Sequence, residues 1–284
     1  RTVKRDIEFM KSRLSVPIEY SAKEKGYIYR STFYSLDLYD DKMFLSYIMI
    51  KNILKSNNYA PVISDIILKE IESLLPREYK SISDDVIYEV SEYDKITKEV
   101  FLFIMESMMQ KERIAFEYQK SSGKVENRTI EPLKLIHSNG KWYILGNDTD
   151  KNLFRIFSLA RISKPTKTAI HFWDKKPSEE IDPFLDKSFG INKNSEVRMV
   201  RIRFYHPLTI RIKSQIWHKD QKVTSGTSKR GEYIDFEIPV GFEDELIGRV
   251  LRHGAMAEIL EPDDIRQKWL ETIREMASKN GIKL

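Results

Sequence analysis

The sequence of 284 residues contains no cysteine, so it has no disulfide framework, no thiolate metal site and no cysteine nucleophile, and it suits a reducing compartment. No apolar run approaches the roughly 18 residues that a membrane span needs, and the N-terminus lacks the apolar core of a signal peptide. A cytoplasmic protein without membrane contact is expected. Catalytic signatures are also missing: there is no G-x-S-x-G elbow, no G-x-x-x-x-G-K-S/T phosphate loop and no H-E-x-x-H zinc helix. His137, His171, His206, His218 and His253 include no pair at metal-ligand spacing. Asp148, Asp150 and Asn152 begin like a calcium loop, but Leu153 takes its glycine position and Leu159 that of its bidentate Glu, which leaves a polar hairpin turn. The expectation is a protein that is not an enzyme and has no cofactor.

What is present is charge and periodicity. The length accommodates about two domains of ~100 to 200 residues. The formal charge of +5 is unevenly spread. Residues 1–30 hold eight basic against four acidic side chains, residues 197–230 nine against one, and residues 231–284 seven against twelve. Basic blocks of this kind are footprints for phosphates or acidic surfaces, or else solvated faces.

Val3, Ile7, Met10 and Leu14 recur at helical spacing. The pattern is already running at Arg1, so the helix is expected to continue a segment that precedes the numbering. Ile18–Tyr20 and Tyr27–Tyr29, around a charged turn ending at Gly26, predict a β-hairpin. A basic helix followed by a hairpin is the second half of a winged helix, in which the helix enters the major groove. Helices are predicted between 36 and 110 on the stripes Met43/Tyr47/Ile50/Leu54, Ile67/Ile71/Leu74 and Ile96/Val100/Phe103, as connectors or dimerisation surface. The Met-rich FLFIMESMMQ within them reads as core packing.

From Arg113 the period changes to two. Ile114/Phe116/Tyr118, Arg128–Ile136, KWYILG after Asn139-Gly140, LFRIFSLARI and Thr168–Phe172 predict about five short strands, curled into a small barrel. Trp142 is the expected core residue and Tyr143 its rim neighbour. Prolines at 165, 177 and 183 mark the exit into a linker over 176–196. The remainder predicts a β-α-β-β-α-β, ferredoxin-like order: Val200–Phe204, a helix from Pro207 to Lys213, Ile216–Val223, Tyr233–Pro239, Glu243–His253 and Ala257–Leu260. A final helix carries Ile265, Trp269, Ile273 and Met276, with Gly281 as its stop.

Three segments together resemble a known family. Thr2, Arg5, Asp6 and Ile7 with PIEY and GYIY, Gly140–Ile144 with Arg155–Ile162, and Trp217–Lys222 with Leu251, Gly254, Ala257, Glu258, Leu260, Glu261 and Pro262 resemble the bacterial WYL-domain transcriptional regulators. The sequence departs from the family pattern at Ile144, Ser158 and Ala160. The resemblance implies an α+β multidomain chain. Residues 1–30 would be the end of a winged-helix domain, 31–110 a helical linker or dimerisation region, 111–175 an SH3/Sm-like barrel, and 197–284 a C-terminal extension beyond the 176–196 linker. It further implies duplex DNA as partner, a nucleic-acid or nucleotide-like effector sensed by the barrel, and a homodimer. The competing reading is an RNA or single-strand-binding module without operator recognition.

Residues can be assigned to these roles. Arg1 and Lys4 are the expected DNA contacts; Thr2 caps the helix or touches a phosphate, and Arg5 either joins them or pairs with a preceding acid. For the effector, period-two alternation puts Arg155, Phe157, Leu159 and Arg161 on one face, with a guanidinium fork at each end to hold an anion. Tyr143, Arg128 and His137 complete the expected pocket, with Ser158 at a motif position.

Overall fold

The computed structural model describes residues 2–14, 16–30, 41–56, 65–89, 92–172, 178–193 and 195–282. It divides into two compact units, Arg1–Lys95 and Ile96–Leu284. Among the described residues no helix is long and apolar enough to cross a membrane.

The first unit opens with α1 (Thr2–Leu14) and the antiparallel hairpin of β1 (Ile18–Ser21) and β2 (Gly26–Tyr29), where the sequence places both. Val3 is 71% exposed, so the predicted stripe is not wholly buried; Ile7 and Met10 are half-buried. Helices α2 (Asp41–Lys55), α3 (Asp65–Ser73) and α4 (Arg77–Ser83) follow. Their core is Phe44, Ile48 and Leu75, one residue away from the stripes predicted on Met43/Tyr47 and Leu74. The reason lies in α2, which is apolar on most sides, so that periodicity alone cannot choose the buried face. That face includes two polar residues. Lys51 donates to Ser83 Oγ (3.0 Å) and Glu72 (3.3 Å), and Asn52 to the Ser83 carbonyl (3.1 Å), which satisfies both groups on burial.

In the second unit, α5 (Lys98–Gln110) starts at Thr97, whose side chain caps the Val100 N–H. Its buried residues are Phe101, Ile104 and Ser107, while Ile96 lies outside the helix and Met109 is 81% exposed. The helix packs on a five-stranded antiparallel sheet of β3 (Glu112–Gln119), β4 (Val125–Ser138), β5 (Lys141–Asp148), β6 (Leu153–Ser158) and β7 (Ile162–His171), in spatial order β6-β5-β4-β3-β7. Strict alternation in β3 buries Glu112, Ile114, Phe116 and Tyr118. Asn139 and Gly140 both take positive φ (49° and 76°), the conformation a two-residue hairpin turn requires. β7 begins six residues before the predicted Thr168. Pro165 is tolerated there because β7 is an edge strand, where a missing N–H breaks no ladder.

The stretch 176–196, expected as a linker, contains α6 (Ser178–Asp186). Beyond it come β8 (Arg198–Tyr205), α7 (Thr209–Ile212), β9 (Lys222–Ser228), β10 (Gly231–Val240), α8 (Glu243–Leu251), β11 (Ala257–Glu261) and α9 (Asp263–Lys279). The β-α-β-β-α-β order is as predicted, and the antiparallel sheet runs β11-β8-β10-β9. Val200, Ile202, Phe204, Phe236, Ile238, Ile259 and Trp269 form its core with the helices. β9 starts at Lys222, not Ile216, which is 83% exposed. Local bonds hold the intervening turn: Trp217 donates its N–H to Gln221 (2.8 Å) and its Nε1–H to Gln215 (3.0 Å).

Candidate functional site

The predicted effector residues fall into three groups on the five-stranded sheet. The expectation that Arg155, Phe157, Leu159 and Arg161 share one strand face is not met. β6 ends at Ser158, and Leu159–Arg161 form a 3-10 turn that carries the chain to β7, so Arg155 and Arg161 do not frame a common strand.

The first group surrounds Asp148, a fully buried carboxylate at the end of β5. Its Oδ1 accepts the N–H groups of Asp150 (3.2 Å) and Lys151 (3.3 Å), fixing the 148–152 turn that the sequence predicts as a polar hairpin. Its Oδ2 faces Arg155 Nε at 3.3 Å and Arg128 at 3.7 Å. Arg128, its side chain only 11% exposed, also pairs with Glu126. Lys120 on the same carboxylate is the main cause that lowers the Glu126 pKa. Gly146, the cross-strand neighbour of Arg155, has no room for a side chain, since a Cβ would lie 2.6 Å from Ile130. Beside this group, Glu131 accepts two bonds from Arg113 (2.9 and 2.7 Å) and one from Asn147 (3.1 Å).

The second group centres on Tyr118, which sequence reasoning treats only as part of an alternating strand. Its hydroxyl accepts the Ser158 N–H (3.2 Å), and the Arg161 guanidinium stands 5.4 Å from its ring centroid. Ser158 is buried, its Oγ without a hydrogen-bond partner among the described residues, and Tyr143 is its register neighbour. Arg161 is exposed and has no carboxylate partner among the described residues. An exposed fork above an aromatic ring beside a buried hydroxyl can bind an oxyanion or stack on a base.

The third group is His137 and Trp142, with ring centroids 4.9 Å apart, while Phe101 of α5 stands perpendicular to the indole with centroids 5.2 Å apart. Trp142 and Tyr143 are both half-buried, so the division into core and rim does not hold; Ile144 and Leu145 are the fully buried apolar side chains of β5. Burial lowers the His137 pKa below the ordinary 6.5. The unfolded chain then takes up a proton before the folded one does. This contribution to stability is therefore full above about pH 6.5 and is lost as the pH falls through the folded value. In melts followed by circular dichroism between about pH 7 and 5, His137→Asn should flatten part of the acid-side fall in Tm. An identical slope in the variant would mean that the ring is solvated.

Of the expected DNA contacts, Arg1 lies outside the described residues. Thr2, Lys4 and Arg5 are exposed on α1, with Arg5 3.9 Å from Asp6, and Lys23 and Lys25 are exposed in the hairpin. The basic block at 197–230 is mostly paired with acids of its own sheet and the neighbouring helices. Arg203 makes two bonds to Asp235 (2.7 and 2.8 Å), which raise its pKa, and Arg198, Arg201 and Arg230 pair with Asp264, Glu261 and Glu258. Among the described residues no group of three acids or histidines gathers as metal ligands.

Two family models match the chain, the WYL domain over residues 99–167 and the WCX domain over residues 196–277. The HTH-type transcriptional regulator YobV of Bacillus subtilis is 25% identical over 288 residues, covering 97% of this chain and 88% of that one. Protein PafB of Mycobacterium leprae is 25% identical over 192 residues, covering 63% of this chain; the match spans about half (54%) of that relative's length. Among solved structures, the proteasome accessory factor B/C of Arthrobacter aurescens is 19% identical with a TM-score of 0.31, covering 100% of this chain and 41% of that one. A CRISPR Cas-related protein is 13% identical with a TM-score of 0.44, covering 86% and 75%.

Proposed function

Because the chain belongs to the WYL-domain regulators, with a WYL and a WCX domain in tandem, we propose that it controls transcription by binding duplex DNA through α1 and its hairpin, and that a nucleic-acid or nucleotide-like effector at the WYL sheet governs this binding. The name of the Bacillus subtilis relative points to regulation rather than to an enzyme. Exposed Thr2, Lys4 and Arg5 on α1, with Lys23 and Lys25 in the hairpin, support the DNA-reading role. The sheet is taken as the SH3/Sm-like unit of the family, and a homodimer as the form that reads two half-sites.

One observation carries the effector reading: the exposed Arg161 guanidinium over Tyr118, beside the unsatisfied Ser158 hydroxyl. Short single-stranded DNA and RNA and cyclic dinucleotides should be titrated against wild type, Arg161→Ala and Arg155→Ala. A charge-assisted bond is worth roughly 1.5 to 3 kcal/mol, so Arg161→Ala should bind on the order of ten- to a hundredfold more weakly. Arg155→Ala should lose less, because Asp148 already holds that side chain. Arg161→Lys should recover only part, since the planar fork is gone. Unchanged affinity in a folded Arg161→Ala removes this residue from the effector site. Binding of single strands without any binding of duplex would favour the module that lacks operator recognition.

A further inference from the structure

In the WCX domain each arginine of β8 answers an acid, Arg201 and Arg203 across the sheet and Arg198 on the helices, but one cluster breaks that rule. Arg249, Arg252 and His253 stand at i, i+3 and i+4 along and just beyond α8, hence on one helical face. Arg211 of α7 acts on the same point: it, Arg249 and Arg252 all disfavour the charged form of His253, after burial. Arg211, Arg249 and Arg252 have no carboxylate partner among the described residues. Arg249 is half-buried over Trp217, 5.2 Å from the ring centroid, and its pKa is lowered by burial and by Arg252. Its buried Nε has no hydrogen-bond partner among the described residues, and neither has the buried Nε2 of His253. The His253 ring lies nearly parallel to Trp217 (23°, centroids 6.1 Å apart).

The carbonyl end of α8 favours cations in its last turn, which accounts for part of this arrangement. It accounts neither for a third guanidinium from another helix nor for buried nitrogens without hydrogen-bond partners among the described residues. Like charges held together and partly desolvated are costly unless an anion joins them. A single carboxylate would occupy one fork; three guanidinium groups and an imidazole suit the several oxygens and higher charge of a phosphate.

We propose that Arg211, Arg249, Arg252 and His253 form a phosphate-ester site on the WCX domain, separate from the Arg161 site on the WYL sheet. The phosphate belongs either to a nucleic-acid backbone or to a free nucleotide.

Full-length wild type, Arg211→Gln/Arg252→Gln, Arg249→Gln and Arg161→Ala should be titrated calorimetrically with inorganic pyrophosphate and with an eight-nucleotide single-stranded DNA. Arg211 and Arg252 are exposed, so that double variant keeps its fold. It and Arg249→Gln should each bind pyrophosphate at least about tenfold more weakly than wild type. DNA bound much more tightly than pyrophosphate, and weakened by the same substitutions, identifies a nucleic-acid backbone; equal affinities identify a free phosphate ester. Wild-type affinity in both folded variants overturns the site, as does the failure of wild type to bind either probe. A loss confined to Arg161→Ala also overturns it, and leaves the effector reading intact.

Discussion

Asp148→Ala should destabilise the WYL sheet by about 3 to 5 kcal/mol, the usual cost of removing one partner from a buried ion pair. The carboxylate has no solvent exposure, and among the described residues its loss leaves Arg128 with Glu126 as its one remaining acidic partner and Arg155 with none. It also frees the Asp150 and Lys151 N–H groups, which define the β5–β6 turn. Asp148→Asn separates the two contributions, because an amide oxygen still accepts those N–H bonds while the charge is gone. Urea denaturation followed by circular dichroism should order the proteins as wild type, then Asn, then Ala. A loss below about 1 kcal/mol for Ala would mean that Arg128 and Arg155 find water in its place. The order also bears on effector experiments. Arg155→Ala and Arg161→Ala remove half-exposed or exposed side chains and should stay folded, whereas a binding defect in an Asp148 variant reports on the frame.

Phe204→Ala should cost about 3 to 5 kcal/mol in the WCX sheet. The ring is fully buried on β8, the strand between β11 and β10, and meets Phe236, Trp217 and His253 with centroids 5.1, 5.5 and 5.7 Å away. The three aromatic rings around it cannot collapse into the space that a phenyl group leaves, so most of the cavity should persist. Phe204→Leu fills much of that volume and should cost less than about 1.5 kcal/mol. Equal stability of the two variants would show a core that repacks freely.

Where the sequence alternates cleanly, as in Ile114/Phe116/Tyr118 and Val200/Ile202/Phe204, the buried face could be read directly, because only one register hides the apolar side chains. The order of elements in the WCX segment was legible for the same reason. In α2 and α5 apolar residues lie on several sides, so burial was decided by contacts such as Lys51 with Ser83 and not by period. Alternation also misled in LFRIFSLARI, where it continues past Ser158 although the backbone turns. The site suffered accordingly: Arg161 was expected to share a strand face with Arg155, but its neighbour is Tyr118 from β3. The resemblance pointed to a sheet and could not supply such pairings. The cluster at Arg249 and His253 was illegible, since one of its members comes from α7 and its distinguishing property is the lack of acids nearby.

The segment between the two sheets is fastened at both ends. On the WYL side Phe184 of α6 meets Phe154 (centroids 5.3 Å apart) and Asp182 takes Lys134 (2.7 Å). On the other side the Asp186 carbonyl meets His218 (2.8 Å), Phe189 donates its N–H to Pro239 (2.7 Å), and Glu245 collects the N–H groups of Ile191 and Asn192. Gly190 holds φ at 81° with the Glu245 carboxylate filling the space where a side chain would stand. A cord between two modules absorbs displacement as slack and passes on none of it. A strut pinned at each end must tilt or carry its load, so a strain that an occupant imposes on either sheet has a mechanical route to the other.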